Sequence, residues 1–128
     1  MKEKQKQVEA AGLSALLGQT CRAVRINETR TEIEFHTPSG TWVLYHEQDC
    51  CESVWIEEIH GDLDNLVGAP IVRAEELSSD GTAPLGNPES FTWTFYVIAT
   101  VKGAVTLRWY GESSGYYSEA VDFGRVVP

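Results

Sequence analysis

The chain has 128 residues, 42% of them hydrophobic, which is long enough for one buried core and too short for two. Its 19 acidic and 10 basic residues give a formal charge of -9 at pH 7; a nucleic acid or an anionic membrane would repel it, whereas basic partners stay open. No apolar run approaches the roughly 20 residues that span a bilayer, and the start MKEKQKQVEAAG lacks the apolar centre of a secretory signal, so the expected compartment is a cytoplasm.

The opening KEKQKQVEAAGLSALLG has helix formers with Val8, Ala11 and Leu16 near helical spacing, so residues 1–18 are predicted as a short helix ending near Gly18. Residues 19–128 are predicted as a single, mainly β domain, an antiparallel meander forming a small sandwich or a partly open barrel. Val24 and Ile26, then Ile33 and Phe35, alternate on either side of the polar turn Asn27-Glu28-Thr29-Arg30, which reads as a hairpin. In TWVLYHE, Trp42, Leu44 and His46 share one face and Val43 and Tyr45 the other; both are apolar, as in a central strand. The three cysteines, Cys21, Cys50 and Cys51, are an odd number with an adjacent pair, so reduced thiols are expected. SVWIEEI is a further strand, GDLDNL a capped turn, and residues 70–76 a short strand, while the breakers in 78–90 predict one long, mobile loop.

The clearest local signal is FTWTFYVIATVKGAVTLRWYG. A turn at Lys102-Gly103 sets Val101 opposite Ala104, Ile98 opposite Leu107 and Tyr96 opposite Trp109. One face then carries Tyr96, Ile98, Val105, Leu107 and Trp109; the other carries Trp93, Phe95, Val97, Thr106, Arg108 and Tyr110. Each is too apolar to be left in water, so one covers the core and the other meets a second layer, a subunit or a ligand. A turn at residues 112–115 is expected to return the chain through YYSEAVDF as a third strand.

The blocks YHEQDCCESVWIEEIHGDLDNLVGAPI and TFYVIATVKGAVTLRWYGESSGYYSEAVDF resemble a family of small proteins of unknown function from bacteriophages and prophages. The acid-Cys-Cys-acid run and the RWYG…GYYSE pair carry the resemblance. It implies no established activity and no catalytic residues. It does imply a setting, the cytoplasm of a host bacterium, where small phage accessory proteins often antagonise antiviral defence by binding a component or soaking up a signal.

Two constellations offer chemistry. His46, Cys50, Cys51 and His60, among the nearby acids, are donors suited to zinc, although adjacent cysteines rarely reach one ion and the ordinary reading is turn and core. The same region is where a metal- or cysteine-dependent enzyme would place its groups, but no glycine elbow supports a nucleophile, and Glu57 and Glu58 should alternate sides. No catalytic residue is therefore assigned and no cofactor expected. The second constellation is Trp93, Phe95, Arg108 and Tyr110, with Tyr116 and Tyr117 on the next strand. Rings that stack on a base and an arginine fork for phosphate suit a small nucleotide, most easily in a homo-oligomer that pools arginines; the ordinary reading is a packed layer or subunit interface. On the nucleotide reading, Arg108→Ala with Tyr110→Ala removes binding and leaves the fold intact.

The span 47–80 holds ten acids and the sole base Arg73, a solvated face or a partner surface centred on Glu57, Glu58, Asp62 and Asp64 that could also imitate a nucleic acid. The sequence thus points to a non-enzymatic phage protein that binds a small nucleotide signal or a host defence protein.

Overall fold

The computed structural model describes residues 7–79, 83, 86 and 88–128. Among them nine strands form two antiparallel sheets that face each other as a sandwich and do not close into a barrel. The first sheet has β1 (Val8–Ala10), β2 (Ala23–Ile26), β3 (Glu32–Thr37), β4 (Gly40–Tyr45) and β9 (Asp122–Val126), in the order β1-β9-β4-β3-β2. The second has β5 (Ser53–His60), β6 (Arg73–Ser79), β7 (Ser90–Thr100) and β8 (Gly103–Ser113), in the order β5-β8-β7-β6.

Alternation explains the core. Ile33, Phe35 and Leu44 point inward from the first sheet and meet Val54, Ile56, Tyr96, Ile98, Val105, Leu107 and Trp109 from the second, while Leu16, Leu66 and Ile71 close the ends. The strand with two apolar faces, β4, is indeed interior, between β9 and β3. The β2–β3 hairpin is as expected. Its turn is tied by the Asn27 side chain, which accepts from the N–H groups of Thr31 and Glu32 at 2.9 and 3.1 Å.

Four expectations need correction. Where a helix was read, the described part of residues 1–18 has β1, paired with β9, and one 3-10 turn at Leu13–Leu16; Leu16 docks in the core and Gly12 breaks the periodicity that a longer helix needs. The β7–β8 turn is Val101-Lys102, with Thr100 opposite Gly103, Ile98 opposite Val105 and Tyr96 opposite Leu107. Lys102 N–H donates to the Thr100 hydroxyl at 3.1 Å, that hydroxyl donates to the Asn65 carbonyl, and Gly103 takes a φ of +150° against the Asn65 side chain. The slip is two residues, so both predicted faces survive it. YYSEAVDF does not return as a third strand of that hairpin; residues 116–121 are irregular and β9 joins the first sheet beside β4. Cys50 and Cys51, expected as free thiols, are joined by a disulfide, the tight loop around Glu52 bringing the neighbouring sulfurs together. Cys21 is the free cysteine, buried, with its thiol pushed up to about 11 by that burial.

Most of the predicted loop at 78–90 lies outside the described residues, as does the start of the predicted N-terminal helix. No described helix is long and apolar enough to cross a membrane.

Candidate functional site

The outward face of the second sheet is built row by row from its register. Ser53, Glu112 and Phe91 lie side by side in one row, Trp55, Tyr110 and Trp93 in the next, then Glu58, Arg108, Phe95 and Leu77, then His60, Thr106, Val97 and Glu75. Period-2 geometry sends these side chains away from the core that Tyr96, Leu107 and Trp109 fill.

The face packs on itself. Tyr110 is 0% exposed, with ring centroids 5.0 Å from Trp55, 4.9 Å from Trp93 and 6.2 Å from Phe91. Trp93 is 6% exposed and meets Phe95 edge-on at 6.2 Å. The Arg108 guanidinium lies 5.0 Å from the Trp93 ring and 5.1 Å from the Phe95 ring, and pairs with Glu58. Glu58 also takes His60 at 3.0 Å. Towards the solvent the face stays apolar at Phe91, 39% exposed, and Leu77, 45% exposed.

A register shift between Ile56 and Glu58 makes Glu57 a bulge residue. Glu57 and Glu58 therefore do not simply alternate: Glu58 stands opposite Arg108, and Glu57 accepts the Trp55 indole N–H at 2.6 Å. Glu112 accepts from the Tyr110 hydroxyl at 2.9 Å. That hydroxyl is pushed up to about 12 by burial first, then by its bond to Glu112 and by the charges of Glu112, Glu119 and Glu57. Three carboxylates, Glu57, Glu112 and Glu119, therefore act on this half of the face.

Of the residues predicted to hold a ligand, the structure brings Trp93, Phe95, Arg108 and Tyr110 together. Tyr116 and Tyr117 stand in the irregular segment after β8, in contact with each other at 5.3 Å, with Tyr116 85% exposed. Trp55, Phe91 and Glu112 were missed. The alternation of SVWIEEI marks Trp55 as opposite in face to Ile56, but nothing local says that β5 lies beside β8.

The acids read as a partner surface divide. Glu57 and Glu58 belong to the aromatic face, whereas Asp62 caps the 3-10 turn Leu63–Leu66 by accepting from Asp64 N–H at 2.9 Å, and Asp64 is exposed in its first turn.

The predicted metal ligands do not converge. The His46 side chain is buried, with Nδ1 2.6 Å from the Ala120 carbonyl and Nε2 2.8 Å from Glu52, so both nitrogens face acceptors and neither is left for an ion. Cys50 and Cys51 are bonded to each other, and His60 stands at the far end of β5, roughly 23 Å along the strand from its start. Among the described residues no three of His, Cys, Asp or Glu group as an ion would require. A hollow of about 160 Å³ on the β2–β3 hairpin, lined by Arg25, Ile26, Asn27, Glu32 and Glu34, contains none of these candidates.

What the His46 region builds is a scaffold. The buried Glu52 carboxylate accepts from His46, from Cys50 and Asp49 N–H at 2.8 and 3.0 Å, and from Gln48 at 3.1 Å. Burial works to raise its pKa, but the Cys50 N–H, the His46 ring and the Asp49 N–H outweigh that and hold it down at about 2. Since the folded value lies below the ordinary 4.5, the carboxylate's contribution to stability is complete above about pH 4.5 and is lost as pH falls towards 2. Glu52→Gln is expected to flatten this part of the acid dependence, read as urea midpoints from about pH 5 to pH 2; an unchanged slope would mean that the loop is not held by the ionised group.

Fold and face together define a small antiparallel β-sandwich whose second sheet shows solvent an aromatic surface edged with carboxylates. The chain belongs to the family described as a domain of unknown function, DUF7448, whose model matches residues 14–123. No curated protein and no solved structure matches it.

Proposed function

We propose that this is a non-enzymatic binding protein of phage or prophage origin that antagonises host antiviral defence by docking on a host protein through the outer face of β5, β8, β7 and β6. The observation that carries this reading is the distribution of charge among the rings. Arg108 is already committed to Glu58, Trp93 and Phe95, while Glu57 and Glu112 edge the more open rings and, among the described residues, pair with neutral donors. A nucleotide phosphate would need a free guanidinium and would meet these carboxylates instead. A protein surface with basic residues is complemented in both apolar contact and charge. The phage setting rests on the two sequence blocks; for the enzymatic alternative, His60 stands at the far end of β5 from Cys50 and Cys51, whose sulfurs are bonded to each other.

Native mass spectrometry of the protein taken from defence-expressing cells is expected to show a defined complex with one host protein and no retained nucleotide. Trp55→Ala with Phe91→Ala should weaken that complex by about 100-fold or more, since exposed aromatic anchors dominate such interfaces. Phe91→Ala alone, at a position 39% exposed, should weaken it while lowering the melting point much less than Tyr110→Ala does. Stoichiometric nucleotide, turnover of a small molecule, or a complex with a second copy of the chain alone would each overturn the proposal.

A further inference from the structure

We infer that the half of the outer face where Trp55 and Phe91 lie over the buried Tyr110 takes an arginine side chain of the partner, seated between Glu57 and Glu112. This rests on the docking reading above and names the chemistry that the face recognises. The molecule supplies its own precedent one row away: Arg108 lies against the Trp93 and Phe95 rings at 5.0 and 5.1 Å with a carboxylate, Glu58, at its fork. A planar, weakly hydrated cation gains from the ring faces and from the acid at once.

The neighbouring half repeats those ingredients. Trp55 and Phe91 flank Tyr110 at 5.0 and 6.2 Å, Glu57 is fixed by the Trp55 indole and Glu112 by the Tyr110 hydroxyl. Neither carboxylate has a basic partner among the described residues. Each keeps lone pairs beyond the one neutral donor it accepts, so a guanidinium can be received on both sides. Burial is the main cause that raises the Tyr110 hydroxyl, and the charges of Glu112, Glu119 and Glu57 add to it, which places these carboxylates within reach of the ring. A lysine would satisfy the acids but has no planar group to lay on the rings, so arginine is the better fit.

The test uses the full chain, labelled with nitrogen-15, and titrates a blocked Gly-Arg-Gly peptide against its lysine, citrulline and adenosine monophosphate counterparts. The arginine peptide is expected to shift the Trp55 indole N–H and the Phe91 amide and to leave the Trp109 indole in the core unmoved. Citrulline, which keeps the shape and lacks the charge, should bind about 10-fold more weakly or worse. Glu57→Gln with Glu112→Gln should cost the arginine peptide about 10-fold or more and remove most of its salt dependence, with the fold kept. Equal shifts from arginine and citrulline, shifts confined to other surfaces, or shifts produced by the nucleotide instead would overturn the assignment. If the arginine probe fails while Trp55→Ala and Phe91→Ala still dissolve the host complex, the guanidinium site falls and the docking face stands. If those two substitutions leave the complex intact, both fall.

Discussion

Tyr110→Ala is expected to lower the unfolding free energy by about 4 kcal/mol, the scale of deleting a fully buried aromatic ring. Tyr110 has no exposed surface although it points away from the main core, because Trp55, Trp93 and Phe91 close over it. Removing it opens a void among three rings and takes from Glu112 its phenolic donor. Tyr110→Phe keeps the rings and loses only that bond, so it should cost about 1 kcal/mol. Urea denaturation of the two variants separates packing from hydrogen bonding. If the alanine variant lost no more than the phenylalanine one, the rings would not be packed as described. The contrast also revises the expectation from sequence that Arg108→Ala with Tyr110→Ala spares the fold. Tyr110 is the floor of the surface, and a partner's contact falls to Trp55, Phe91 and the flanking acids.

Gly61→Ala should be nearly as damaging, by about 3 kcal/mol or more, from two causes that add. Gly61 leaves β5 with a φ of +103°, which side-chain-bearing residues rarely adopt, and an added Cβ would stand 2.5 Å from the Ala104 carbonyl oxygen, a backbone atom that cannot swing away. Gly18→Ala is the matching control. Its φ is +82° but nothing lies within 4 Å of the added carbon, so it should show the strain alone, about 1–2 kcal/mol. The same denaturation experiment reads both. Equal losses at the two positions would mean that the contact with β8 is softer than its geometry implies. Because β5 carries Trp55, Glu57 and Glu58, Gly61→Ala should also weaken partner binding, which Gly18→Ala should leave alone.

Much of the site was legible locally. Strict alternation in 91–111 assigns Trp93, Phe95, Arg108 and Tyr110 to one surface and Tyr96, Leu107 and Trp109 to the other, and this survives a turn displaced by one residue because the cross-strand partners then shift by two, the side-chain period itself. Over the described residues 7–18 the expected helix gives way because strand pairing outweighs local spacing. Val8, Ala11 and Leu16 stand near helical spacing, but in a three-residue edge strand Val8 is satisfied by pairing with Val126. The cysteine pair was judged on isolated geometry, without the Glu52 carboxylate that wraps the loop around it. Tyr116 and Tyr117 were assigned to the sheet because a glycine turn precedes them. Yet Glu119, which accepts from the Thr92 and Ser113 hydroxyls at 2.7 and 2.5 Å, pins this segment across the end of β7 and β8.

By itself the sequence determined the β class, the inward and outward sets of the long hairpin and the net acidity of the chain, because periodicity and charge are properties of neighbours along the chain. Only the tertiary structure decided that β5 lies against β8, bringing Trp55, Glu57 and Glu58 to Tyr110 and Arg108, and that β9 crosses to the opposite sheet. Alternation states which way a side chain points. Which strand stands beside it is settled by how two sheets bury their common core, a choice among long-range pairings that no local pattern encodes.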